Sequence, residues 1–545
     1  LDRGLGSVDG IWKTPRYSFQ VYLPNTIGDF ETVVPITTYA GMLFDDIIVD
    51  LVESMEFNRK EVARQVVTLD LFFKSGIFTE PGQSIAQLVE LHEESPNLST
   101  FKIEDLAIEN ILSLIFKLPN VSQSFAYFYT LLVEICQNSP KAIAPVFGRA
   151  FRFFYKNLDS MDLELKMRYL DWFSIQMSNF NFSWKWNEWE EDSIKFGQSF
   201  YNPKITFVKN LIRKELRLTS NKPDVEDSLT EEFQQYLDGP YITNAELLNY
   251  YQSFFRDLNI APEILKDNDL LFKQDFFPFH DSVDQLLEYF HKQPFERNVS
   301  ELEAILEQLT TQHESVIADS NKLIVTLLVQ VLVYSGNRSL SHANKYIGDS
   351  RNELSLILDK IEVDQDLKES WIIEAVIRYW NCNSQNGFLI VDTFKYNGLV
   401  SPKSILSFSF SEENGKILGL VDATSIESTF RNLTELSLRQ ETSVNTFEFV
   451  FEKLCSTIND TLAQLGAQDS NEVVAPILDS ETMTDASQDL PTLELLWKYE
   501  TAMGFIKSIL RKYSDEYVVL LNKFRSGMDS AVSHKPTKDR LLQWF

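Results

Sequence analysis

Apolar residues along most of this chain recur at three- and four-residue spacing, and Gly, Pro or Asn interrupts the pattern roughly every fifteen to twenty residues. Such a period puts one apolar stripe on each of a succession of helices, so from Asp45 onward the pattern predicts helical hairpins in series. In the first part of the chain the predicted helices cover residues 45–55, 60–74, 81–94, 101–118, 122–137, 141–157 and 160–180. Asn58 with Glu61 three residues on resembles a capping box, Gly76 a C-terminal stop and Pro119 a terminator, while Pro81-Gly82 sets a first turn. Further on, helices are predicted over 245–258, 283–292, 299–312, 316–334, 341–360, 366–380, 387–395, 401–409, 425–438, 447–465 and 493–513. The Val- and Leu-rich run 323–333 has strand propensity, but its length and its helical neighbours assign it to a central helix. The expected fold is all-α: a helical-hairpin (HEAT-like) right-handed solenoid in two consecutive domains.

Two segments depart from this period. Residues 1–40 carry the alternating run from Tyr17 to Pro24 and read as an extended linker that packs on something. Residues 466–491 are small, acidic and polar, the composition of a mobile loop. The polar stretch 219–227 and Gly239-Pro240 mark a boundary, giving a first domain over 41–220 and a second over 238–545 that contains the acidic loop.

The hairpin from Tyr169 to Leu218 stands out. Trp184, Trp186 and Trp189 fall within six residues, and rings of that size gain far more free energy buried than exposed. If the block is helical, the two-residue step from Trp184 to Trp186 sends the two rings to different neighbours. Pro203 then opens a helix whose face Ile205, Val208, Leu211, Ile212 and Leu216 is apolar. Its other face carries Lys204, Lys209, Arg213, Lys214 and Arg217. The tryptophans are expected to clamp a helix-helix corner and the basic residues to form a solvated face. The sharper alternative is a partner surface, for which Lys204, Arg213 and Arg217 are the candidate contacts.

Composition changes the picture mainly through charge. The 545 residues are 44% hydrophobic and 24% charged, ordinary for a globular protein, but the net charge is -29. An acidic surface repels phosphate backbones, which disfavours a direct grip on nucleic acid and favours a basic protein partner. Cys136, Cys382 and Cys455 are far apart and read as reduced thiols. No apolar stretch reaches the length of a membrane span. The six histidines lack metal-ligand spacing, and the sequence carries no phosphate-binding glycine loop, nucleophile elbow or dinucleotide turn, so no cofactor and no catalysis are expected. His342 in Ser339-Leu-Ser-His is read as part of a helix start capped by Ser341.

The block Asn179-Phe-Asn-Phe-Ser-Trp-Lys-Trp-Asn-Glu-Trp189, then Asn202-Pro-Lys and Lys214-Glu-Leu-Arg-Leu218, resembles the corresponding block of the large subunit of the nuclear cap-binding complex, fungal members above all. The similarity continues at Phe125 to Pro140, at Ser339 to His342, and at Trp380-Asn with Gln385 and Val391-Asp-Thr-Phe394. The resemblance implies three helical-hairpin domains related to the middle domain of the scaffold subunit of the cytoplasmic cap-binding translation factor. This chain would then cover the linker and the second and third domains, without the first domain and its basic import tail. It further implies a non-enzymatic scaffold that stabilises a small RNA-recognition-motif subunit, with capped RNA reached only through that subunit. RNA-processing and import/export factors would be further partners, there would be no membrane, and the place of action would be the nucleus, with shuttling to the cytoplasm. A transport-receptor-like helical solenoid is the alternative; it calls for mutually similar repeats, which are not found.

Overall fold

Helix starts and stops follow local chemistry more closely than the hydrophobic period alone suggests. The computed structural model describes residues 21–22, 30–237, 241–437, 444–467, 489–514 and 518–545. Within these the protein is all-α: its strands are the two-residue pair Glu412–Glu413 and Lys416–Ile417, with one isolated bridge between Phe255 and Ile317. The first helix, Tyr39–Ser54, begins earlier than its apolar period, because Thr38 caps it by accepting from the Gly41 N–H at 3.0 Å. Only glycine fits at Gly41, where a Cβ would lie 2.0 Å from the Pro35 carbonyl oxygen.

Several predicted boundaries move for identifiable reasons. Asn58 accepts from the Glu61 N–H, but Glu61 turns to Arg64 and Gln65 instead of reaching back, so only half of the expected capping box forms. That helix, Arg59–Val67, stops well before Gly76 and passes into a 3-10 turn, Leu69–Phe72. Pro81-Gly82 forms a turn rather than a first helical turn, and the next helix, Ile85–Glu94, starts from a complete capping box of Ser84 and Gln87. The predicted helix over 341–360 is two helices, Leu340–Asp349 and Arg351–Lys360. Ser339, not Ser341, caps the first of them, accepting from the His342 N–H while its hydroxyl also meets His342 Nδ1 at 2.8 Å.

The contacts divide the described residues into two compact units. One comprises residues up to Leu229 together with those from Thr461 on; the other is Thr230–Asp460. The C-terminal helices, assigned by sequence continuity to the second domain, therefore pack in the first unit. There Leu490–Tyr513 lies against Leu163–Ser178.

Helices within each unit pack on their sequence neighbours and, more extensively, on helices two or three places along the chain, consistent with a HEAT-like solenoid. In the second unit the run 323–333 is part of the helix Ser320–Ser335, buried on all sides and packed on Gln365–Tyr379. Its one buried amide, Gln330, donates to the Tyr251 hydroxyl and the Ala375 carbonyl, both at 3.1 Å.

Of the expected linker, Val21, Tyr22 and residues 30–40 are described; of the expected acidic loop, residues 468–488 lie outside the described residues. Val21 and Tyr22 are buried. Their N–H groups donate to Glu109 Oε2 at 3.1 and 3.2 Å, and the Tyr22 hydroxyl reaches the Val146 carbonyl. Burial pushes the Glu109 carboxyl up to about 7, against the pull of those two N–H groups.

Candidate functional site

The tryptophan hairpin is built in the first unit from a helix that is made to stop. Leu163–Ser178 ends where Asn181 and Phe182 take positive φ values of 55° and 52°, and the Phe182 N–H returns to the Met177 carbonyl at 2.8 Å. Asn tolerates this conformation; a phenylalanine does so at a cost, here offset by burying its ring to 5% exposure. The chain then runs irregularly to Trp184 and enters a 3-10 turn, Trp186–Trp189.

Because the block is not a continuous helix, the two-residue spacing does not separate the rings. Trp184 and Trp186 both meet Trp189, at centroid distances of 5.1 and 5.6 Å. Trp189 in turn stacks on Tyr155 at 4.1 Å and 7°. Phe173 and Phe207 complete the cluster, with Tyr169 stacked on Phe207 at 4.6 Å. Trp186 and Trp189 are buried and Trp184 half-buried beneath the Arg152 guanidinium, so the block clamps the corner from inside.

The helix Pro203–Leu218 starts where Asn202 accepts from the N–H groups of Lys204 and Ile205, both at 3.0 Å. The loop before it is held from far along the chain: Glu494 accepts the N–H groups of Phe200 and Tyr201 at 2.8 and 3.1 Å and the Ser199 hydroxyl. The basic residues do not form one solvated face. Lys209 is buried and donates to the Ser199 carbonyl at 3.3 Å. Lys214 pairs with Asp171. Lys204 pairs with Asp192 at 3.1 Å and lies over the Tyr155 ring. Periodicity shows which positions are polar, but not that Asp171 and Asp192 approach them from other segments.

Of the three candidate contacts, Arg213 and Arg217 are half-buried neighbours one turn apart. At about 100° per residue, Lys204 lies roughly 180° around the helix from Arg213. The structure brings Arg213 and Arg217 together and sets Lys204 on the opposite side. Residues missed from sequence are those that hold the hairpin in place. Glu494 is one. Arg511 is another, gripping Asp162 through two bonds of 2.8 and 2.6 Å and Glu164 at 3.0 Å. Separations of 293 to 349 residues leave no local signal for either.

Among the described residues no group of three or more His, Cys, Asp and Glu is placed to hold a metal ion, and no helix is long and apolar enough to cross a membrane.

Comparison with known proteins places the geometry in context. Two family models, each described as MIF4G-like, match residues 34–231 and 270–518. The chain is 71% identical over its whole length to nuclear cap-binding protein complex subunit 1 of Eremothecium gossypii, and 59% identical to that of Saccharomyces cerevisiae. It is 27% identical over 385 residues to nuclear cap-binding protein subunit 1 of Schizosaccharomyces pombe, a match covering 71% of this chain and 44% of that protein. The chain spans 63% of the length of each of the first two relatives.

Proposed function

Since the chain belongs to the nuclear cap-binding protein subunit 1 family, we propose that it is a non-catalytic scaffold subunit of a nuclear cap-binding complex. The observation that carries this reading is the identity of 71% and 59% over all 545 residues of the chain. The scaffold role accords with two units built almost entirely of helices.

In this reading a small RNA-recognition-motif subunit binds the methylated guanosine cap, and the present chain acts on that subunit's conformational equilibrium. Binding the cap-competent state more tightly than the disordered one raises its population, and apparent cap affinity rises by the same factor. The net charge of -29 supports this division of labour, because it opposes direct contact with RNA phosphates. Lys204, Arg213 and Arg217 are the proposed partner contacts, with Lys204 on the opposite side of the helix from the two arginines. Contacts with RNA-processing and import/export factors, and passage between nucleus and cytoplasm, belong to the same proposal. So does the domain boundary between residues 220 and 238.

Titrating a capped oligonucleotide into the chain alone, the small subunit alone and their mixture tests the mechanism. Negligible binding by the chain and tighter binding by the mixture than by the small subunit are expected. Equal affinity with and without this chain removes the mechanism, and tight cap binding by the chain alone removes the division of roles.

A further inference from the structure

The first unit contains a cavity of about 500 Å³ between the end of the helix Pro140–Lys156, the start of Leu163–Ser178, and the helices Leu490–Tyr513 and Lys535–Leu542. That is the size range of small-ligand sites. Its walls carry four cations, Lys156, Lys166, Lys507 and Arg540, and three acids, Asp159, Asp162 and Glu500.

The acids are largely spent. Glu500 takes Arg540 through two bonds of 2.7 and 2.9 Å. Asp162 takes Arg511 and leaves Lys507 at 3.9 Å, beside the Trp544 ring. Lys156 and Lys166 have no hydrogen-bond acceptor and no carboxylate at ion-pair distance among the described residues. Against the two lysines without an ion pair stands one acid, Asp159, whose Oδ1 is buried without a hydrogen-bond partner and whose charged neighbours include Lys166 and Lys204. Burial pushes the Lys166 ammonium below its usual range, and the more distant Asp159, Asp162 and Glu500 only partly restore it. Half-buried Lys166 and exposed Lys156, neither ion-paired, make this opening locally cationic in a chain of net charge -29.

We propose that this cavity binds a phosphate monoester, with Lys166 and Lys156 as its charged contacts and Lys507 at its edge. A phosphate monoester brings a charge of about -1.5 to -2 and three acceptor oxygens, matching several point-charge donors better than a single carboxylate does. The acidic surface argues for a single phosphate group rather than a polyanionic strand. The same chemistry is offered by the 5′-phosphate of a mononucleotide and by a phosphoserine, so the test uses both.

Isothermal titration calorimetry of the intact protein with AMP, O-phosphoserine, inorganic phosphate, and unphosphorylated adenosine and serine is the experiment. A phosphorylated probe is expected to bind and its unphosphorylated counterpart not to; binding by one source alone supports the site and identifies the source. Lys166→Gln should weaken binding about tenfold or more, the loss of a charge-assisted hydrogen bond, while Lys166→Arg retains most of it. The bound probe should also slow acylation of Lys166, read by peptide mass spectrometry. That measurement decides the matter if K166Q does not fold. Absence of binding by every phosphorylated probe overturns the proposal. So does equal affinity in a folded K166Q variant, or unchanged acylation of Lys166 at saturation.

Discussion

Glu215 sits on the apolar side of the helix Pro203–Leu218, fully buried, with neither carboxylate oxygen hydrogen-bonded. Burial holds its pKa well above the usual value, so the native state keeps a proton that the unfolded chain releases near pH 4.3. A raised folded-state pKa contributes stability that is complete below the unfolded value and is lost as pH rises toward the folded one. Glu109 acts in the same direction up to about pH 7. Glu215→Gln should therefore match the parent near pH 4 and exceed it in melting temperature at pH 8, checked by calorimetry across that range. The tryptophans make the opposite case. Trp189 touches Tyr155, Phe173, Phe207, Trp184 and Trp186, and removing it or the buried Trp186 should cost about 3–5 kcal/mol in urea unfolding. Loss of partner binding with unchanged stability would reassign the rings to an interface.

At the scale of elements, the helix Leu490–Tyr513 is fastened to the start of Leu163–Ser178 by Arg511, Asp162 and Glu164, whose side chains are 3%, 3% and 10% exposed. Burial alone would raise the Asp162 pKa, but the Arg511 guanidinium overrides it and holds the carboxyl below its usual range. This contribution is present above the unfolded value of about 3.9 and is lost as pH falls through the folded one. Arg511→Met leaves two buried carboxylates with only the longer pairs to Lys507 and Arg168 and should cost about 3–5 kcal/mol, with the acid-unfolding midpoint moving to higher pH. The sequence displayed these helices but not their fastening. Apolar spacing reveals a helix wherever one face is buried, as it did for Leu490–Tyr513 and for Ser320–Ser335. It carries no sign of the Arg511 contact, because Asp162 is 349 residues away. Caps were legible to within a few residues: the Ser339 hydroxyl was passed over for Ser341 since both are serines in one turn. The cation-lined cavity left no trace, being assembled from residues 156–166, Pro203 and 497–544.

For the whole molecule, the family models and the compact units divide the chain differently. The second MIF4G-like match runs on to residue 518, whereas contacts assign residues from Thr461 onward to the first unit. Deleting residues 489–545 should therefore abolish the unfolding transition of the first unit and spare that of the second, measured by hydrogen exchange on peptides from each. Loss of protection confined to Thr230–Asp460 would contradict the assignment. The same discontinuity sets a schedule for synthesis. Residues 230–460, 231 of them, must leave the ribosome before the segment that completes the first unit appears. At about 5–20 residues per second, the docking ground for Glu494 and Arg511 waits roughly 13–56 seconds with its apolar and charged surfaces uncovered. During that interval the nascent chain is a client for whatever shields unfinished folds, and slowing translation within the second unit lengthens its exposure.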